Sequence, residues 1–199
     1  MKKSVIAALF ILTGSVMSAQ KATIKPGIKI GYTLSDVTPD YIDSAGNSGK
    51  YGMAGSYRIG GFLVFPAGKD IMLQASVFLT GKKSSYKYNN SLPLYGPSSD
   101  YLRFSYIELP VSLLYKLKSG KGFFFGGGGL SPALRIWRHY YYSSEKFDLG
   151  LNLAAGYQTP LGFVLQLDLT KGLIPVGENY YTSQKQKLIT LGLTLGSIF

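Results

Sequence analysis

The chain has 199 residues, 21 Lys and Arg against 10 Asp and Glu, a formal net charge of +11, and only 16% charged residues. That length suits one ordinary domain and excludes a large multidomain enzyme, while 46% apolar composition, rich in Gly, Tyr and Phe, excludes intrinsic disorder. With no Cys and one His, a disulfide scaffold, a Cys-ligated metal, a thiol nucleophile and a lipoprotein anchor are excluded, and neither a His-based metal site nor a cofactor is expected.

Met1-Lys2-Lys3 is a basic start, residues 5–12 are an unbroken apolar run, and Ser18-Ala19 precedes Gln20. This pattern predicts a secretory signal peptide over residues 1–19, which leaves residues 20–199 as the folded domain. The apolar run is too short for the ~20 residues a spanning helix needs. The domain then works outside the cytoplasm, so nucleic acid is not an expected partner despite the basic balance.

From residue 24 onward the recurring signal is alternation with period two, the periodicity of strands. Ile28, Ile30, Tyr32 and Leu34 alternate with Lys29, Gly31 and Thr33. Tyr57, Ile59, Leu63 and Phe65 alternate with Arg58, Phe62 and Val64. Leu73, Ala75, Val77 and Leu79 alternate with Gln74, Ser76, Phe78 and Thr80. Ile107, Leu109, Val111, Leu113 and Tyr115 alternate with Glu108, Pro110, Ser112 and Lys116. A strand is expected over residues 122–138, where the Gly126–Gly129 run blurs the parity, leaving bare backbone for bulky neighbours in a tightly curved sheet. Three more follow at residues 147–157, 163–170 and 189–199.

The predicted fold is therefore all-β: an eight-stranded antiparallel up-and-down transmembrane barrel, with strands of ~10–12 residues matching a tilted membrane crossing. Connections alternate between tight (66–70, 118–121, 159–162) and long (35–50, 82–103, 138–146, 171–187), as in outer-membrane barrels. Phe65, Tyr115, Tyr157, Phe163 and Phe199 share outward parity at the tight-turn ends, predicting an inner aromatic girdle. Tyr32, Tyr57 and Phe147 supply part of the outer one. A soluble barrel would turn the apolar face inward instead.

Inward parity collects Lys29, Arg58 and Arg135 with Glu108, Asp148 and Asp168. An eight-stranded barrel has a lumen that side chains fill, so these charges are expected to pair as a structural network, with Arg135 and Asp148 a cross-strand pair. A narrow ion path is the functional alternative. The excess positive charge falls in the long connections, notably Lys82, Lys83, Lys87 and Arg103, and suits phosphorylated headgroups such as those of lipopolysaccharide. Tyr86, Tyr88, Tyr95, Tyr101, Tyr140, Tyr141, Tyr142, Tyr180 and Tyr181 gather there too, a surface for interface anchoring or a protein partner. His139, Ser143 and Glu145 lie on one long loop, but no nucleophile motif surrounds Ser143, so no enzyme is expected.

Tyr106-Ile107-Glu108-Leu109-Pro110 followed by Leu113-Leu114-Tyr115-Lys116 resembles the Glu-Ile-Pro strand of the PorT-like, "porin family" outer-membrane β-barrels of Bacteroidetes. Residues 123–134, 147–157, 171–174 and 188–199 resemble other strands of that family. The resemblance implies an outer-membrane barrel and supplies no catalytic residues. The terminal Phe199 resembles the ends of barrels that the barrel-assembly machinery reads through the C-terminal strand. The expected function is structural or interaction work in the outer membrane through the long loops. A secretion-system accessory component, a small-solute channel and a lipid-modifying enzyme follow as alternatives, in that order.

Overall fold

An alternating strand presents one face to the lumen and the other to hydrocarbon, and eight such staves form here. The computed structural model describes residues 24–38, 41–42, 48–88, 98–138, 146–175, 177–178 and 185–199. The leader expected over residues 1–19 lies outside them. The staves are β1 (Lys25–Thr38), β2 (Ser48–Pro66), β3 (Ile71–Tyr88), β4 in two segments (Ser98–Glu108 and Val111–Ser119), β5 (Gly122–Arg138), β6 (Phe147–Gln158), β7 (Phe163–Gly172) and β8 (Lys185–Ile198). Two-residue ladders at Tyr41–Ile42 and Gly177–Glu178 add to β2 and β8.

Each stave pairs antiparallel with its sequence neighbour, and β1 closes on β8 from Gly27 opposite Ile198 to Thr38 opposite Lys187. The sheet is a closed ring of eight strands, an arrangement without a free edge. β4 breaks at Leu109-Pro110, because proline has no N–H for the ladder. Ser76 N–H donates to the Pro110 carbonyl (2.9 Å) and Leu109 N–H to the Pro132 carbonyl (2.8 Å), carrying the sheet across the break. The tight turns and both strand termini share one end of the barrel. Gly120 (φ 59°) and Gly162 (φ 88°) supply the left-handed backbone those turns need, and Phe199 N–H donates to the Pro26 carbonyl at 2.9 Å.

The staves run longer than alternation predicts, reaching 19 residues in β2 and 18 in β3. The added length lies away from the turns: residues 35–38, 48–50, 82–88 and 98–103, expected as loop, are strand. Beyond the hydrocarbon an outward residue has no reason to be apolar, so the period-two signal ends before the strand does.

The glycine run also has a different cause from the one expected. A Cβ on Gly127 would strike the Leu113 carbonyl oxygen and one on Gly129 the Val111 carbonyl oxygen. These glycines admit the neighbouring strand's backbone, rather than bulky side chains.

Candidate functional site

Five staves send charged or amide side chains to the middle of the lumen, where they form a connected belt. Glu108 on β4 is its hub: Oε2 accepts from Arg58 Nη2 (2.6 Å) and Thr80 Oγ1 (2.7 Å), and Oε1 pairs with Lys82 Nζ (2.7 Å). Arg58 Nη1 reaches Asp168 Oδ2 at 3.5 Å, and Asp168 Oδ1 accepts from Gln166 Nε2 at 2.7 Å. Lys29 Nζ ends the chain by donating to the side-chain carbonyls of Gln166 and Gln74. A second string runs from Ser112 Oγ to Asn152 Oδ1 (3.2 Å) and from Asn152 Nδ2 to Thr170 Oγ1 (3.0 Å). The cations also lie over aromatic faces: Lys29 over Phe62 (4.0 Å), Arg58 over Phe78 (4.7 Å) and Lys82 over Tyr106 (4.7 Å). Pairing and hydrogen bonding of this kind let charges persist inside a low-dielectric space.

All six charged residues assigned inward from sequence are buried: Lys29, Arg58, Glu108, Arg135, Asp148 and Asp168. Two corrections follow. Lys82, counted with the basic loop, is 2% exposed and belongs to the belt. Its even parity with Gln74, Ser76 and Thr80 was the available signal, hidden because Lys82-Lys83 reads as a charge run. Arg135 and Asp148 are not opposite each other; Asp148 faces Ala133, which leaves Arg135 diagonal to it. Apolar side chains also fill the lumen.

Above and below the belt sit two apolar plugs. At the turn end Phe62, Met72, Leu114, Phe125, Ala154 and Val164 meet in one cluster, with β2 to β7 each contributing. At the other end Val37, Tyr106, Ala133 and Leu188 cluster, with Phe104 and Tyr51 packed against them. The inward faces of β2, β3 and β4 already carried Phe62, Met72 and Leu114 at the right parity. Without the register there was no signal that these residues lie at one level.

The outer wall is apolar, with Leu153 and Leu195 60% and 62% exposed. At the turn end Tyr115, Phe163 and Phe199 are exposed, and Phe65 and Tyr157 half-buried. Phe124 joins them, tilted over Tyr157 at 4.8 Å. Toward the opposite end stand Tyr32 and Tyr57, edge to face at 5.5 Å, with Phe147 and Trp137 also exposed. Of the loop tyrosines named above, only Tyr101 has a described side chain, and His139, Ser143 and Glu145 lie outside the described residues. Among the described residues no three His, Asp or Glu side chains are placed to hold a metal ion.

The sequence profile of a family described as "Outer membrane protein beta-barrel domain" matches residues 18–178. No curated protein matches the chain. Among solved structures, the outer membrane protein OprG from Pseudomonas aeruginosa is similar with a TM-score of 0.56 at 13% identity, covering 89% of this chain and 97% of that one. The outer membrane protein AlkL, determined in lipid bilayers, gives a TM-score of 0.51 at 15% identity, covering 92% and 93%. At such identities the likeness is one of fold.

Proposed function

This chain belongs to the outer membrane protein beta-barrel domain family and resides in the bacterial outer membrane; on that premise we propose that it is a closed barrel that works at its surfaces, without catalysis. Structural or interaction work falls to the long, Tyr-rich, basic extracellular connections and to the barrel wall. The observation that carries this reading is the lumen: a paired charge belt held between two apolar plugs. A path for solute needs hydrated space, and both plugs put apolar side chains where that space would be.

Planar-bilayer recording tests it. The purified barrel is expected to give no unitary conductance; steady steps that vanish in Arg58→Ala would replace this reading with a narrow channel lined by the belt. Crosslinking in intact cells tests the interaction arm. The Tyr106-Ile107-Glu108-Leu109-Pro110 segment supports placement among the PorT-like barrels, and a stoichiometric co-purifying partner would favour an assembly role or a secretion-system accessory role. Lipid-modifying activity lost in His139→Ala would refute the non-catalytic reading.

A further inference from the structure

Where β3 meets β4, the outward face changes character one residue pair at a time. Leu79 stands opposite Ile107, then Gly81 opposite Ser105, then Lys83 opposite Arg103. The Gly81–Ser105 step is a dip between two aromatic posts. Trp137 on β5 is register partner to Ser105, and Tyr57 on β2 flanks Gly81. The dip has a volume of about 460 Å³ and an apolar rim of Ile30, Ile59, Leu79 and Ile136. The dip is half open to the outside of the barrel, and its lining is largely apolar.

Two irregularities of the ladder build this feature. β2 carries an extra residue between Ala54 and Arg58, and the Gly81 carbonyl accepts from the Thr33 hydroxyl of β1 at 2.9 Å. A Cβ on Gly81 would meet Ser56 Oγ, which would have to turn aside. On the other flank the register shifts between Ser105 and Tyr106, so that Ile136 and Trp137, consecutive in sequence, are both exposed outward. Bulges re-aim side chains in this way.

Directly above the dip, Lys83 and Arg103 face each other. Like charges directly opposite on a sheet are destabilising, and among the described residues neither has a carboxylate ion pair. The Arg103 guanidinium lies 5.8 Å from the Tyr101 ring, on the same outward face. Aromatic belts mark headgroup depth, so this cationic pair stands at the level of lipid phosphates, and Arg binds phosphate with two parallel hydrogen bonds.

We propose that this stretch of wall is a binding site for a phosphorylated, acylated lipid of the outer leaflet. An acyl chain lies over Gly81 and Ser105 between Tyr57 and Trp137, and Lys83 and Arg103 hold the phosphate. The proposal rests on the closed-barrel reading above and names a ligand class for its wall. Free phosphate accounts for the cations but leaves the apolar dip beneath them unused.

The test is native mass spectrometry of the detergent-solubilised barrel with lipid A and with lipid A stripped of its phosphates. The wild type is expected to retain the phosphorylated lipid about tenfold better or more, the scale of one lost charge-assisted contact. Lys83→Gln with Arg103→Gln abolishes that preference, and Ser105→Phe, which fills the dip, lowers retention of both lipids. Equal retention of the two lipids by the wild type overturns the proposal, as do variants that behave like it. Displacement by millimolar inorganic phosphate overturns it too, reducing the site to a simple anion contact. Heat-dependent gel mobility shows that each variant is folded. Conductance of the same preparation separates the two readings: a conducting barrel that holds the lipid refutes closure and keeps this site.

Discussion

Leu113 and Leu114 are neighbours in one strand and live in different solvents. Leu113 is 54% exposed on the outer wall, whereas Leu114 is fully buried in the turn-end plug. Their identical side chains show that this fold is written in parity and not in composition. On the wall an apolar side chain is satisfied by any hydrocarbon it meets. In the lumen each side chain, apolar or charged, depends on particular partners from other staves. The lumen is therefore where substitutions are expected to be felt most.

The sharpest way to break that contrast is at the hub. Glu108→Ala leaves Arg58 and Lys82 buried without their shared carboxylate, and a loss of about 3–5 kcal/mol is expected. Urea unfolding in vesicles, followed by the fluorescence of Trp137, the single tryptophan, measures it; an unchanged midpoint would mean the belt is hydrated. Leu114→Ala should cost ~2–5 kcal/mol through the cavity it opens among six staves. A wall position answers to charge instead: Leu153→Arg, facing hydrocarbon near mid-stave, is expected to lose ~2–4 kcal/mol, and tolerance of Arg there would misplace the bilayer. The smallest effect closes the comparison, since Leu113→Ala, one residue from Leu114, should cost under ~1 kcal/mol in the same assay. Equal losses at Leu113 and Leu114 would erase the distinction between wall and plug.

Much of this architecture is legible in the order of the amino acids. Within the membrane the outward residue must be apolar and its neighbour need not be, so alternation exposes the staves and places Lys29, Arg58, Glu108 and Asp168 in the lumen. What stays hidden is register. Arg135 and Asp148 sit near-symmetrically about their loop, yet Asp148 pairs with Ala133 because the β5–β6 ladder is not centred on that loop. Alternation alone does not place Trp137 in the outer girdle, because the extra residue at Ile136 reverses parity locally. Lys82 is hard to assign to the belt from sequence because, above the hydrocarbon, both faces of β3 are polar, and only its even parity with Gln74, Ser76 and Thr80 marks it as inward.

Closure between β1 and β8 joins residues almost the whole chain apart, Gly27 to Ile198. Contacts so distant in sequence are slow to form, because the chain between them must be ordered first. Until β8 docks, β1 and β7 present raw strand edges to whatever surrounds them. The last stave is in this sense a latch: every earlier strand waits on it, and a chain cut before Leu188 keeps six of the eight inter-stave ladders, loses nearly all of the two that close the ring, and is expected to aggregate.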